Sequence, residues 1–201
     1  MIKLGASELR ATTPSQDDLK KIKKNPVYII LDNVLDTYNV GAIFRLADAV
    51  AAEKVILCGE TETPPDSRIK KASINTTEWV SWKHCDTALE AIKKLRRKFS
   101  TPLEQYSSSE SRQVGTNREV QKLQVVAIEQ SERSIPYDKA EYIFPIALVV
   151  GNETTGVSKE VLEIVDQIVE ISMWGVNKSL NVMVSLGIVL YEAMKANNPR
   201  V

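Results

Sequence analysis

The sequence predicts an α/β fold with a mostly parallel sheet flanked by helices. Short apolar runs recur along the chain, and most are separated by segments with apolar residues at helical spacing. This alternation is typical of a parallel sheet covered by helices. The Val- and Ile-rich run at 146–150 indicates a strand that is buried on both faces.

The predicted elements follow one another in a regular order. Strands are expected at VYIIL (27–31), VILC (55–58), WVSW (79–82), LQVVAI (123–128), IALVV (146–150) and IVEI (168–171). Helices are expected at 39–52, 87–99, 157–166 and 179–196, with a further helix near 109–120 in the Ser-rich segment 100–120. We expect a short N-terminal helical extension over residues 1–25, with Ser15 as a cap, and one domain over residues 26–201.

Composition narrows the class of protein. The chain has 201 residues, 43% of them hydrophobic and 26% charged, which suits one soluble domain with a core. The N-terminus has no apolar leader, the apolar stretch 182–191 is too short to span a bilayer, and the two cysteines lack metal-ligand spacing. We therefore expect a cytoplasmic protein with no membrane span and no metal.

The charge pattern leaves two interpretations open. The net charge is zero, which argues against extensive coating of nucleic acid. Basic clusters nevertheless stand at KKIKK (20–24), RIKK (68–71) and KKLRRK (93–98). They are either solvated helix faces or surfaces that hold the phosphates of a nucleic acid without reading its sequence.

Three stretches carry residues that their elements do not need. In the helix 39–52, Asn39 stands at the start, Gly41 weakens the first turn by about 1 kcal/mol relative to Ala, and Arg45 follows one turn later. The absent side chain at Gly41 could let a nucleotide approach while Arg45 reaches it. The alternatives are a helix cap for Asn39 and a surface ion pair with Asp48 for Arg45.

The second stretch is GNETTG (151–156), a glycine-rich turn between a buried strand and a helix. Such turns allow a ligand to approach the backbone, although a plain tight turn is also possible. The pattern is neither a phosphate-binding P-loop nor a dinucleotide fingerprint. Glu153 is well placed to meet a ligand, because it follows the carboxyl end of a strand.

The third stretch is SLNV (179–182), which opens the last helix. Ser179 is expected to cap that helix, and Asn181 is then left without a local reason in the first turn. The helix is apolar nearly all round, which suggests burial in the core and in a subunit interface.

Together these stretches give the chain a family resemblance. N-x-G-x-x-x-R (Asn39, Gly41, Arg45), GNE-x-x-G and SLNV stand in the order and spacing of the TrmH-like (SpoU) RNA 2′-O-methyltransferases of the SPOUT superfamily. The resemblance covers about residues 26–195. It implies a C-terminal deep trefoil knot, a homodimer through the last helix, and transfer of a methyl group from S-adenosyl-L-methionine (SAM) to tRNA or rRNA.

The resemblance also implies roles for individual residues. Catalytic roles fall on Arg45, Asn39, Glu153, Ser179 and Asn181. Cofactor binding falls on Gly151, Ile171, Leu180, Ile128, Glu129, Asn152 and Met173. Glu153 is expected to fix the Arg45 guanidinium, and Arg45 either positions the target phosphate or takes part in removing the proton.

The sequence departs from the family pattern in two places, one in the cofactor loop and one in a loop that faces the RNA in the family. Ser172 stands where the family usually has Pro, and residues 69–79 lack the family's glycine-containing loop. The identity of the RNA target is therefore not implied. A catalytically inactive RNA-binding SPOUT homodimer is the alternative function, and a Rossmann-type nucleotide enzyme is disfavoured by the missing central glycine.

Overall fold

The computed structural model describes residues 2–100 and 122–197. Within them the strands are β1 (Asn25–Asp32), β2 (Ala52–Cys58), β3 (Trp82–Cys85), β4 (Gln124–Ile128), β5 (Ile135–Pro136), β6 (Ile146–Gly151) and β7 (Gln167–Glu170). They form one sheet in the order β3-β2-β1-β6-β4-β7-β5, and every neighbouring pair is parallel. The predicted α/β class with a parallel sheet is confirmed.

Helices cover both faces of this sheet. They are α1 (Ala6–Ala11), α2 (Gln16–Lys21), α3 (Thr37–Ala49), α4 (Ser67–Ser73), α5 (Ala88–Ser100), α6 (Lys159–Leu162) and α7 (Val182–Asn197). Helices α3, α4 and α7 pack on one face, and α5 and α6 pack on the other. Successive β1 residues point to opposite cores, with Ile29 in the first and Ile30 in the second, which explains the continuous apolar runs.

Several elements differ from their predicted bounds. β3 begins at Trp82, because Trp79 and Val80 are buried beside a 3₁₀ turn at Thr76–Glu78 rather than extended in the sheet. The short elements α4 and β5 were not predicted, and the helix expected at 157–166 reduces to α6. The helix expected near 109–120 lies outside the described residues.

Helix α4 gives Gly41 a structural explanation. The α4 backbone packs so closely on α3 that a Cβ atom at Gly41 would lie 2.6 Å from the Ile69 carbonyl oxygen and 2.6 Å from Ala72 Cβ. Distances this short do not occur between real atoms, so only glycine fits. The interpretation of Gly41 as an approach for a nucleotide is therefore wrong.

The end of α4 anchors the N-terminal segment. Ile74 and Asn75 both adopt left-handed backbone conformations, with φ of 52° and 69°. The buried Asn75 side chain donates hydrogen bonds from Nδ2 to the carbonyl oxygens of Leu9 (3.2 Å) and Thr12 (3.0 Å). The segment around α1 is thus fixed to the core through one side chain.

Parallel strands place all their carboxyl ends at one edge of the sheet, and the basic cluster 93–98 lies at the opposite edge. There Arg96 donates to the Ile164 carbonyl (2.8 Å) and the Asp166 carboxylate (3.0 Å), and Lys98 donates to the Tyr28 hydroxyl (2.9 Å). These cations are engaged inside the chain. Within the described residues no helix is both long enough and apolar enough to cross a membrane.

Candidate functional site

A cavity of about 430 Å³ opens where β4, β6 and β7 end. Its walls come from the residues after β4, from the loop 151–158 and from the loop 171–181. Every residue predicted to bind the cofactor lines it: Ile128, Glu129, Gly151, Asn152, Ile171, Met173 and Leu180. Three of the residues predicted to be catalytic also line it, namely Glu153, Ser179 and Asn181.

The loop 151–158 is folded tightly back on itself. Asn152 and Gly156 exchange backbone hydrogen bonds of 3.1 and 2.9 Å, and Asn152 Oδ1 accepts from the backbone N–H of Thr154 (2.8 Å). A Cβ atom at Gly151 would lie 2.1 Å from the carbonyl carbon of Gly156. Gly151 is therefore required by the close approach of the loop to its own strand, before any ligand is considered.

Glu129 joins this loop to the end of β4. Its Oε2 accepts a hydrogen bond from the backbone N–H of Val157 (2.8 Å). Gly156 adopts a φ of 73°, and a Cβ atom there would lie 2.2 Å from the same oxygen. Glu129 thus fixes the position of the loop as well as lining the cavity.

A hydrogen-bonded relay at the rim of the cavity brings the three motifs together. Asn181 Nδ2 donates to Asn39 Oδ1 (2.9 Å), and Asn39 Nδ2 donates to Glu153 Oε1 (2.9 Å). Glu153 also accepts from the backbone N–H groups of Leu35 and Asp36, each at 3.1 Å. Residues from α3, from the glycine loop and from the start of α7 therefore form one unit.

The direction of the relay is fixed at both ends. Asn181 Oδ1 caps α7 by accepting from the backbone N–H groups of Met183 (2.9 Å) and Val184 (3.4 Å), so its amide nitrogen must face Asn39. Asn39 is only 7% exposed and must then present its own nitrogen to Glu153. Neither amide can flip without leaving a donor opposite a donor.

The environment of Glu153 keeps its carboxyl group ionised. Partial burial raises the pKa of Glu153, but the hydrogen bonds from Asn39 and from the backbone at Leu35 and Asp36 outweigh that effect, and the pKa falls below its usual value. A carboxylate held in this way is a weak base. Its role in the relay is to orient Asn39.

Ser179 and Arg45 occupy positions that the sequence did not predict. Helix α7 begins at Val182 with Asn181 as its cap, so Ser179 does not cap it, and the Ser179 N–H donates to Asn177 Oδ1 (3.3 Å). Arg45 is exposed on α3 outside the cavity lining. Within residues 2–100 and 122–197 it pairs with neither Glu153 nor Asp48, so the expected contact with Glu153 is wrong.

Gln130 and Lys178 are among the lining residues that were not predicted. Gln130 follows Glu129 directly, and its Nε2 donates to the backbone carbonyl of Lys178 across the cavity. The sequence offered one indication of their role: Gln130 is next to Glu129, and Lys178 is next to Ser179. A polar side chain just after a strand and a lysine just before SLNV have many ordinary explanations, so neither stood out.

The fold and this cavity define a class of protein: a parallel α/β protein that binds a small ligand where its strands end, under loops closed by polar side chains. The SpoU rRNA Methylase family matches residues 26–191. The chain belongs to this family, which confirms the resemblance seen in the sequence.

Two relatives illustrate the range of the family. The chain is 30% identical over 183 residues to the tRNA (guanosine(18)-2′-O)-methyltransferase of Aquifex aeolicus (strain VF5), covering 88% of the chain and 72% of that protein. It is 28% identical over 179 residues to the 23S rRNA (guanosine-2′-O-)-methyltransferase RlmB of Vibrio parahaemolyticus, covering 89% of the chain and 63% of that protein. The chain is thus shorter than both.

Solved structures show the same fold. The A. aeolicus TrmH/SpoU tRNA modifying enzyme superposes with a TM-score of 0.70 at 26% identity, over 97% of this chain and 83% of that one. The AdoMet-bound rRNA methyltransferase from Sinorhizobium meliloti also superposes with a TM-score of 0.70 at 26% identity, over 94% of this chain and 60% of that one.

Proposed function

We propose that the protein transfers the methyl group of SAM to a ribose 2′-hydroxyl of RNA. Its curated relatives are named as tRNA or rRNA 2′-O-methyltransferases, and related structures hold the cofactor. The observation that carries the proposal is the relay Asn181–Asn39–Glu153, which joins all three motifs at the rim of the cavity. A protein that only bound RNA would not need this arrangement beside a cofactor-sized cavity.

The residues of the cavity fit SAM. A volume of about 430 Å³ lies in the range usual for small-molecule sites. Apolar side chains from Ile128, Ile171 and Leu180 suit an adenine ring, and several carboxylates in the lining suit a ligand that carries positive charge. When bound, the cofactor supplies an electrophilic methyl group on a positively charged sulfur.

The chain then has to orient the hydroxyl. A sugar hydroxyl is a poor nucleophile at neutral pH, so it must be held in line with the methyl carbon. As the oxygen–carbon bond forms, the carbon–sulfur bond breaks to release S-adenosylhomocysteine, and the hydroxyl proton passes to a phosphate oxygen of the RNA. Arg45 is exposed on α3, the helix that also carries Asn39, and can hold the adjacent phosphate by two hydrogen bonds. Asn39, Ser179 and Asn181 orient the ribose, and Glu153 fixes Asn39. A guanidinium is effectively always protonated, which favours positioning over proton removal for Arg45.

The variant Arg45→Ala tests this assignment. We expect methyl transfer from labelled SAM to RNA to fall by about 100-fold or more, because the hydroxyl loses its orientation. The dissociation constant of SAM, measured by calorimetry, should stay within about twofold, because Arg45 does not line the cavity. Arg10→Ala, which removes another exposed arginine on α1, is the matched control.

Two outcomes would contradict the proposal in different ways. If SAM binding is lost together with transfer in Arg45→Ala, Arg45 belongs to the cofactor site. If the unmodified protein binds SAM but methylates neither tRNA nor rRNA, the inactive RNA-binding protein is correct. Mapping of 2′-O-methyl groups in RNA from cells with and without the gene identifies the target.

We also propose that the protein is a homodimer through α7. Val184 is 40% exposed and Tyr191 is 52% exposed on this largely apolar helix, two turns apart and therefore on the same side of it. Exposed apolar side chains on one surface support an interface. Sedimentation analysis at micromolar concentration checks this, and an active monomer contradicts it.

Two finer features complete the proposal: a trefoil knot near the C-terminus and a cytoplasmic location. The knot is supported by the family and by the strand order, in which β6 lies between β1 and β4, two strands that precede it in the chain. Because the strands are parallel, the loops after β6 and β7 both leave the sheet at the same edge, as a knot in this region requires. Fractionation of cells tests the location.

A further inference from the structure

The segment after β4, residues 129–134, is bonded to each wall of the cavity. Its first residue holds the glycine loop, as described above. Gln130 Nε2 donates to the Lys178 carbonyl in the loop 171–181, and the Ser134 hydroxyl donates to the Glu170 carboxylate at the end of β7 (2.7 Å). One short segment therefore sets the relative positions of three separate walls.

The bond from Gln130 has a special place among these contacts. Within the described residues it is the only hydrogen bond between residues 172–180 and the rest of the chain. A second cavity of about 280 Å³ lies beside the first, and both Gln130 and Lys178 line both cavities. The bond thus forms part of the wall between them.

Ile171 packs against the core and Asn181 is held by Asn39, but little else fixes the part of the loop between them. Trp174 is 94% exposed and Val176 is fully exposed, so these apolar side chains contribute almost no buried area. The loop nevertheless carries Met173 and Leu180, which line the cofactor cavity. A single hydrogen bond therefore has a large share in holding these two residues over the ligand.

We propose that Gln130 is a positioning residue that holds the loop 171–181 closed over the cofactor. This inference rests on the proposed function. Gln130 acts through the Lys178 carbonyl and sets the affinity for the cofactor, while the reacting groups at the relay are unaffected. Loss of one hydrogen bond, worth about 0.5–1.5 kcal/mol, corresponds to about a 2- to 12-fold weaker affinity.

The variant Gln130→Met tests the proposal, because methionine has similar length and no donor. We expect the dissociation constants of SAM and of S-adenosylhomocysteine to rise by the same factor of about 2 to 12, since a loop that covers their shared part does not distinguish them. At saturating SAM, kcat should stay within about twofold. Gln130→Glu, which keeps the size but loses the donor when ionised, should behave alike. Glu132→Gln, an exposed position in the same segment, is the control.

Trp174 gives a readout that needs no ligand. The fluorescence anisotropy of Trp174, obtained by subtracting the Trp174→Phe background, should fall in ligand-free Gln130→Met, because the loop is released. A residue that only contacts the ligand would leave this signal unchanged. Unequal changes for the two ligands, or weaker binding with unchanged anisotropy, would show direct contact and overturn the proposal.

The two proposals can fail separately. If the unmodified protein does not bind SAM, the proposed function fails. The anisotropy of the ligand-free variant still tests whether Gln130 holds the loop 171–181. If the unmodified protein binds SAM and Gln130→Met shows unchanged affinities and unchanged anisotropy, the positioning role of Gln130 is refuted. The proposed function is then unaffected.

Discussion

The substitution Asn39→Asp should convert the relay from an attraction into a repulsion. Asn39 Nδ2 lies 2.9 Å from Glu153 Oε1, and Asn181 Nδ2 fixes the direction of the Asn39 amide from the other side. The new carboxylate would keep the oxygen that accepts from Asn181. Its second oxygen would replace the donor that faces Glu153.

The size of the effect follows from this geometry. Loss of a hydrogen bond to a charged group costs about 1.5–3 kcal/mol. Two carboxylate charges about 4 Å apart repel by about 1 kcal/mol in water and about 4 kcal/mol near a protein surface. The partial exposure of Glu153 favours the lower part of that range. We expect the free energy of unfolding to fall by about 2.5–5 kcal/mol at about pH 8.

The pH dependence distinguishes repulsion from simple damage. In the unmodified protein the depressed pKa of Glu153 contributes stability above the unfolded pKa, and this is lost as the pH falls through the folded pKa. In Asn39→Asp, a proton bound between the two carboxyl groups restores a hydrogen bond as the pH falls. The deficit should therefore shrink between about pH 8 and about pH 5.

Urea unfolding at both pH values measures the deficit. The matched control is Asn197→Asp, because Asn197 Nδ2 donates to the uncharged Asn25 Oδ1 (3.1 Å) rather than to a carboxylate. The control should lose about 0.5–1.5 kcal/mol with little change between the two pH values. An equal deficit for Asn39→Asp at both pH values would refute the like-charge explanation.

Two further predictions concern packing and the RNA surface. Gly41→Ala should lower the free energy of unfolding by about 1–3 kcal/mol in urea, because α4 must move away from α3 and this outweighs the gain of about 1 kcal/mol in helix propensity. Greater stability in that variant would contradict the packing explanation, and Ala42→Gly provides the propensity control. Arg96→Met should reduce stability without changing affinity for RNA, as measured by filter binding, whereas Arg68→Met on α4 should weaken RNA binding and make it less salt-dependent. Weaker RNA binding by Arg96→Met would contradict the proposal that RNA binds at the edge where the strands have their carboxyl ends.

The strands could be predicted where burial on both faces writes a continuous apolar run, as in β1 and β6. β3 could not, because Trp79 and Val80 look like strand residues but fill the core from a turn. β5 is too short to leave a pattern. Helix α4 is polar along much of its length, and the Asp66 cap that starts it was masked by the surrounding polar residues.

The residues that form the site could be predicted, but the hydrogen bonds between them could not. Motif spacing in a known family brought Gly151, Ile171 and Leu180 to one cavity. No pattern in the sequence shows that Glu153 bonds to Asn39 rather than to Arg45, since both choices satisfy a carboxylate. The interpretation of Gly41 was wrong for a related reason. The sequence does not show whether a glycine makes room for a ligand or, as here, for a closely packed helix.

The sheet ends in its shortest strands, and this bears on how copies of the protein can meet. β5 has two residues, one of which is a proline without an N–H group, and β3 has four residues that include Lys83. Short margins, proline and positive charge all discourage the edge-to-edge pairing that leads to aggregation. The long apolar strands β1 and β6 lie in the middle of the sheet, where other chains cannot pair with them. These edges favour the proposed association through side chains on a helix, where complementary shapes select the correct partner.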